Sequence, residues 1–387
     1  MKIQVYKRSE GRPGVRNHVL VMPGVLCADA AARKIVRMTD GLTYLYNPNG
    51  CGQNPKDAAV SLAVMAGMIA NPNVYGALII GLGCEMADEA AYMTAIRAHT
   101  GKPVFYIGIQ KEGGIGKTVE KGRQIAGQLL LEAGKCRREP ADISELFLGL
   151  ECGGSDPSSG ISANTVLGRV TDRLIEAGGS AVLSETAEAI GAEHILRQRG
   201  RTPAIGQKIC DCITEWERAR FRESGIDIRK TNPSQGNIAS GLTTLSEKSL
   251  GCIHKSGSHP FDGCYEYGDV IRERGLFFLN ATAYDPVNTA ALAACGSQIA
   301  AFTTGMGNPV GNPIVPVVKI TGNHRTAEWM DDIIDFDSSV TIDGLKTVDE
   351  AAEDLLTLIR EVAEGKLTKA EINGACEMGI NQNYSYV

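Results

Sequence analysis

The residues best suited to chemistry occur in short glycine-bearing runs. Asn47-Pro-Asn-Gly-Cys-Gly-Gln53, Gly81-Leu-Gly-Cys-Glu85, Glu151-Cys-Gly-Gly-Ser-Asp156 with Pro-Ser-Ser-Gly160, Glu185-Thr186 and Thr304-Gly-Met-Gly-Asn308 are the clearest. Each sets a thiol, carboxylate, hydroxyl or amide beside backbone that can turn tightly and offer free N–H groups to an anion. A tight turn explains one such loop. Several that also carry Cys, Ser, Asp, Asn or Glu point to a shared site. The polar stretch 231–248 holds Asn232, Asn237, Thr243, Thr244, Glu247 and Lys248. It reads as a loop capping a helix at Thr244. Its density of donors with one cation also suits a polyhydroxylated anion, and long polar loops in compact domains are usually functional.

Several other chemistries fail on spacing. Gly305-Met-Gly307 begins a dinucleotide fingerprint, but the third glycine would fall at Val310. Gly116-Lys117-Thr118 ends like a phosphate loop, but its leading glycine would fall at Lys111. The chain has six histidines and no chelating pair, so a metal site must be assembled from separate loops. His254 sits in the dense polar segment beside Lys248, whereas His18 lies in an apolar run and reads as a hydrogen-bonded structural residue. None of the 11 cysteines forms a CxxC pair, which excludes a zinc ribbon. Cys27, Cys136, Cys210, Cys212, Cys264, Cys295 and Cys376 lie away from the motifs and are expected to pack. Cys51, Cys84, Cys152 and Cys252 each touch a motif glycine, but no local spacing marks an iron–sulfur cluster.

Elements that could position these loops follow from the apolar pattern. Runs at 18–22, 42–46, 77–80 and 104–107 read as buried strands, with helical spacing at 28–38, 56–70, 85–99 and 117–134. A charged stretch at 134–140 is the expected linker. A second alternation has strands at 146–150, 181–184, 276–280, 299–303 and 315–320. Its helices are expected at 163–177, 186–199, 205–224, 287–294 and 348–365. The sequence thus predicts two consecutive three-layer α/β domains with mainly parallel sheets, at 1–138 and 139–387, the second larger and Rossmann-like. In such sheets ligands bind beyond the carboxyl ends of the strands, where the glycine motifs fall.

Composition sets the outer bounds. Lys and Arg number 39 against 45 Asp and Glu, a net charge of −6, which argues against a nucleic-acid or anionic-membrane surface. The opening residues lack an apolar core of signal-peptide length, and no apolar stretch is long enough to span a bilayer, so a cytoplasmic setting is expected. Glycine makes up 45 of 387 residues, above the usual share of about 7%.

Taken in order, the motifs resemble the altronate/galactarate dehydratase family. They are Tyr6-Lys-Arg-Ser-Glu-Gly11-Arg12-Pro-Gly-Val-Arg16-Asn17, the loop 151–156 with Ser159-Gly160 and Ala163-Asn164, and Ser184-Glu185-Thr186. The segment 232–248 with Gly251-Cys252, and residues 303–311 leading to Pro316, complete the set. The resemblance covers essentially the whole chain and makes 1–138 the counterpart of the family's second domain. Two departures stand out. The family's N-terminal SAF-type domain is missing, which implies a large subunit that takes it from a small partner subunit, in a homo-oligomer. A histidine that often precedes the Gly-Cys-Gly loop is replaced by Asn47 and Asn49. A related sulfolactate sulfo-lyase large subunit is likewise split from a small one.

The resemblance implies dehydration of a sugar acid, with the enediolate stabilised by a divalent metal, iron(II) before manganese or magnesium. Lys248 or His254 would serve as base, with Glu185 in the same catalytic group. Arg12 or Arg16 would hold the substrate carboxylate, and both belong with Asn17 to the expected substrate-binding set. Ser155, Asp156, Ser159, Asn164, Asn237 and Thr243 would bind its hydroxyls, and Cys51, Cys152 and Cys252 would be the metal ligands. A lyase with another leaving group, such as sulfite, and a non-catalytic scaffold for the small chain are the competing functions.

Overall fold

The apolar runs form two parallel sheets in the computed structural model, which describes residues 1–382; positions 383–387 of the expected second domain lie outside the described residues. The smaller sheet has the strand order Leu42–Tyr44, His18–Pro23, Val74–Gly81, Val104–Gly108. The larger runs Phe336–Asp337, Val317–Thr321, Ile299–Thr303, Phe147–Cys152, Ser180–Leu183, Leu276–Asn280, Phe261–Glu266. All neighbours in both sheets are parallel, as β-α alternation requires.

Period-two alternation along the strands explains the layers. In the large sheet Leu148, Leu150, Ala181, Leu183 and Phe278 face the helices Asn164–Glu176 and Val348–Ala363. Their alternates Phe147, Val182, Phe277 and Phe302 face Asp285–Cys295. In the small sheet Val21, Leu78 and Ile80 face Asp29–Arg37 and Ile115–Ala133, while Leu20, Met22 and Ile79 face Pro55–Ala70. Both domains are therefore three-layered. The helices Pro55–Ala70 and Asp285–Cys295 belong to one continuous core, so the two sheets share their middle layer. Gly67 permits this contact, because a Cβ there would lie 2.5 Å from the Ala294 carbonyl oxygen.

Two asparagines after the first of these helices lock the layer. Asn71 Nδ2 donates to the carbonyls of Ala293 and Ser297, both at 2.8 Å. Asn73 Nδ2 donates to the carbonyls of Gln298 and Ile314, both at 2.9 Å, while its Oδ1 accepts from Val15 N and Arg16 N. Arg16 adds a clamp of its own, bonding both carboxylate oxygens of Glu371 and the carbonyls of Val362 and Lys366.

Some elements differ from the sequence expectation. The stretch 134–140 is not wholly a linker: Glu139–Asp142 pairs antiparallel with Lys2–Val5. The helix expected over 85–99 starts at Glu89, because Glu85 folds back onto the N–H groups of Leu82 and Gly83 and Asp88 caps the helix through Ala91 N. In place of one helix over 186–199 the chain makes a single tight turn, Thr186–Ala189, and a short helix, Glu193–Gln198. Phe261–Glu266, an edge strand holding Asp262 and Gly263, has too little apolar content to show as a buried run in the sequence. Among the described residues no helix is long and apolar enough to cross a membrane.

Asn73→Ala would strip partners from two carbonyls and two N–H groups in the shared core. At roughly 1–3 kcal/mol for each group left unpaired, partly relieved by relaxation, the expected loss is about 3 kcal/mol in urea unfolding. An unchanged midpoint would show that the staple carries no stability.

Candidate metal and acid–base site

Strands Phe147–Cys152 and Ser180–Leu183 lie side by side, with Leu150 opposite Leu183, so Cys152 and the residues after Leu183 leave the sheet together. The chain then turns sharply at Glu185, whose φ of 69° is the only positive value at a non-glycine among the described residues. Such a conformation costs about 1–3 kcal/mol and persists where surrounding contacts impose it. Here they do. Glu185 Oε2 accepts from Cys152 N at 2.9 Å and from Lys255 Nζ at 2.5 Å. Burial pushes the Glu185 carboxyl well above the usual carboxylate range, against the pull of Lys255. One turn further on, Glu188 brings its Oε2 to 3.1 Å from Cys152 Sγ.

Helix Leu245–Ile253 supplies the opposite wall. Thr244 caps it by accepting from Glu247 N, as the sequence predicts. Lys248 and Cys252, four residues apart, project from one face. Lys248 Nζ lies 2.5 Å from Glu188 Oε1 and within 3.5 Å of Asn232 Oδ1 and Asn237 Oδ1. Cys252 Sγ stands 3.5 Å from Cys152 Sγ and 3.0 Å from Lys255 Nζ. The Lys255–Glu185 pair is wholly enclosed, at 0% exposure on both sides.

Charge is distributed unevenly across this group. Burial opposes the ammonium of Lys255, yet the thiols and carboxylates around it raise its pKa well above the ordinary lysine value. Lys248 shifts upward too, because Glu188 outweighs its burial. Both lysines are therefore cations at neutral pH. Burial alone would raise Glu188, but Lys248 and Lys255 bring it below the usual carboxylate value. The hydrogen bond from Cys152, together with Lys255, lowers Cys252, whereas the same bond and burial raise Cys152. Cys252 is thus the more acidic thiol of the pair.

Cys152, Glu185, Glu188 and Cys252 each offer a ligand atom, all within 4.8 Å of one another. An ion at about 2.3 Å from sulfur and about 2.1 Å from oxygen would set neighbouring ligands roughly 3.5–3.8 Å apart. The S···S distance of 3.5 Å and the S···O distances of 3.1 and 3.9 Å are of that size. Two soft and two hard donors suit a borderline ion. This group could therefore hold a metal. Behind it Glu151, Glu185 and Asp285 form a second acidic group within 4.8 Å. Burial raises Asp285 to about 6 and lowers Lys319, beside them, to about 7. Glu151 Oε1, Asn288 Oδ1 and Lys319 Nζ are buried there without a hydrogen-bond partner.

A pocket of about 270 Å³ opens above Cys152 and Cys252. Among the expected substrate residues Ser155, Asp156, Ser159 and Asn164 line it, as do Lys248 and an exposed His254. Ser155 Oγ is buried and unpartnered, whereas Asp156 already accepts from Ser158, Ser159 and Asn323. Asn237 is buried outside the lining, donating to the Ser155 carbonyl. Glu185 lies below the pocket as described.

The remaining expected residues are placed elsewhere. Arg12 donates to Ser180 Oγ and stacks on Phe147, both at the amino ends of their strands, so it sits at the opposite end of the sheet from Cys152 and Glu185. Arg16 is spent on Glu371 and backbone carbonyls, and Asn17 on Arg8 and the Ala133 carbonyl. Their cationic motif is structural. Thr243 is exposed and lies outside the lining, donating its N–H to Glu247, which does line the pocket. Cys51 is exposed in a loop of the small domain, apart from Cys152 and Cys252. Of the cysteines expected to pack, Cys210, Cys264 and Cys295 are buried, but Cys27 and Cys376 are exposed.

Lys255, Glu188, Glu151 and Asp285 are the site residues that sequence reasoning missed. Glu188 follows Glu185 by one turn, and Lys255 follows Cys252 by three positions, but each looks like an ordinary surface charge until the fold buries it.

Comparison with known proteins agrees with this architecture. Residues 5–134 match the D-galactarate dehydratase/Altronate hydrolase second domain, and residues 143–386 the D-galactarate/Altronate dehydratase C-terminal domain. The chain is 36% identical to the altronate dehydratase of Escherichia coli (strain K12), across 98% of this chain and 77% of that protein. It is 33% identical to the (2R)-sulfolactate sulfo-lyase subunit beta of Chromohalobacter salexigens, across 98% of this chain and 97% of that one. It is 32% identical to the galactarate dehydratase (L-threo-forming) of Escherichia coli (strain K12), across 80% of this chain and 60% of that protein. With both of its domains and nearly its whole length matched, the chain belongs to the galactarate/altronate dehydratase family.

Proposed function

We propose that this protein is a hydro-lyase that removes water from an aldonate or aldarate to give a 2-keto-3-deoxy acid. The observation that carries the proposal is the thiol–carboxylate group with its two ammonium ions at the foot of a polar pocket. Cys152, Glu185, Glu188 and Cys252 would hold a divalent metal, which we assign as iron(II). When bound, that ion supplies positive charge against the enediolate oxygens.

The remaining chemistry falls to the chain. Lys248, held as an ammonium by Glu188, is assigned as a cation for the substrate carboxylate rather than as the base. His254 stands exposed on the pocket wall, free to take the proton from the carbon next to that carboxylate. Ser155 Oγ, with no partner of its own, is available to a substrate hydroxyl. Lys255 favours the anionic forms of Glu185 and Cys252 against burial and holds both in place.

A second reading has specific support. The sulfo-lyase subunit beta matches this chain across 97% of its own length. Sulfite is then the leaving group, on the same floor of residues. In both readings we assign the chain as a large subunit working with a small SAF-domain partner in the cytoplasm.

A panel of aldonates, aldarates and sulfolactate, offered to the chain with and without the small subunit, decides between them. A 2-keto-3-deoxy acid is expected; sulfite release would transfer the assignment to the second reading, and neither product would reject both. His254→Asn should lower kcat by about 10²–10⁴ while leaving thermal unfolding unchanged, since the side chain is exposed. Wild-type turnover in that variant would remove His254 from the mechanism. Chelator dialysis should abolish activity and release the metal, and Cys252→Ser should fail to rebind iron(II) in equilibrium dialysis. Full metal retention by that variant would refute the ligand assignment.

A further inference from the structure

Cys51 left the metal group described above, and its new surroundings point to a different centre. In the small sheet the chain runs from His18–Pro23 to Leu42–Tyr44 on one side, then crosses to Val74–Gly81 on the other. The crevice beyond strands His18–Pro23 and Val74–Gly81 is thus a topological switch point, where ligands bind in doubly wound folds. Cys27 lies in the loop after the first of these strands and Cys84 in the loop after the second. Cys51 follows Leu42–Tyr44.

The three loops are pinned together by backbone. Leu26 N donates to the Asn49 carbonyl and Met86 N to the Gly50 carbonyl, both at 2.9 Å, so the two residues before Cys51 are clamped between the other loops. Gly24 N joins the Ile80 carbonyl at 2.8 Å. Gly50, with φ of 105°, closes the junction: a Cβ there would lie 2.6 Å from the Gly24 oxygen. Beneath, Gln53 takes Gly50 N on its Oε1 and gives its Nε2 to Ser61 Oγ, a rigid floor.

All three thiols are exposed. Free cysteine is among the most buried residue types, so three exposed thiols at one crevice are not there for packing. They do not form a mononuclear site either. A single ion with bonds of about 2.3 Å keeps its sulfurs within roughly 4.6 Å of one another. Among the described residues no group of three ligand atoms within 4.8 Å includes these cysteines. A centre that spaces its thiolates more widely suits three thiols on loops joined in this way.

We propose that Cys27, Cys51 and Cys84 hold an iron–sulfur cluster at this switch point, each thiol giving up its proton as it binds iron. Three thiolates leave one cluster position open to a ligand from outside the chain. The proposal stands apart from the dehydratase reading, since it uses none of the residues assigned there.

The test is anaerobic reconstitution of the full chain with iron and sulfide, followed by iron and acid-labile sulfide assays and visible absorption. Stoichiometric sulfide with a broad visible charge-transfer band is expected. Cys27→Ser, Cys51→Ser and Cys84→Ser should each lose most of the band and the sulfide, with thermal unfolding unchanged. Cys252→Ser and Cys136→Ser should keep both, and iodoacetamide should label Cys27, Cys51 and Cys84 only before reconstitution. Absence of acid-labile sulfide, with iron no higher than the single ion assigned to the Cys152–Cys252 site, equal retention in the three variants, or no incorporation at all would each overturn the proposal.

Discussion

Two ammonium ions buried against two carboxylates govern the construction of this molecule. Removing one partner from a buried pair costs about 3–5 kcal/mol, because the other charge is stranded away from water. Lys255 and Glu185 are wholly enclosed, and Lys248 and Glu188 nearly so. The pairs join elements far apart in sequence. Glu185 and Glu188 follow one strand of the large sheet, while both lysines come from the helix 245–253 and the turn after it. Fixing the charges fixes the approach of those elements, and that approach sets Cys152 against Cys252. The left-handed backbone of Glu185 is tolerated for the same reason.

The site is also a product of the layer arrangement. The large sheet places its carboxyl edge over the pocket, and its central strand, Phe147–Cys152, is flanked on both sides by strands whose loops face the same crevice. One face of that sheet belongs to its own helices, and the other is closed by a helix layer held in common with the small sheet. Neither sheet has a private core on that side, so the two sheets support each other through the shared layer.

Much of this was legible in the sequence. Parallel α/β layers follow from apolar runs alternating with amphipathic segments, and strand ends were marked by the glycine motifs. Cys152, Glu185, Lys248 and Cys252 could be placed near one another because all four lie in such motifs. Lys255, Glu188 and Asp285 could not, since burial of a charge depends on partners that come from distant segments. The same limit explains the arginines. Arg12 and Arg16 sit in a motif that looks like carboxylate recognition, but their guanidinium donors answer backbone carbonyls from other elements, and no local pattern records those. Cys51 was misplaced for a related reason: a Gly-Cys-Gly run shows that a thiol will be presented, not which thiols it will meet.

The asparagine staple has a bearing on timing. Many two-domain enzymes admit ligands by a hinge that swings over microseconds to milliseconds. Here the amides of Asn71 and Asn73 are fully satisfied across the junction and the helices share one core, which removes the swivel. Passage to the thiol–carboxylate floor is left to the pocket rim, the segments carrying Pro157, Ile161, Leu242 and Leu250. Exposed side chains such as Ile161 and Leu250 change rotamer within picoseconds to nanoseconds. Admission of ligand is then left to local rearrangement of the rim rather than to a swing of one layer against another.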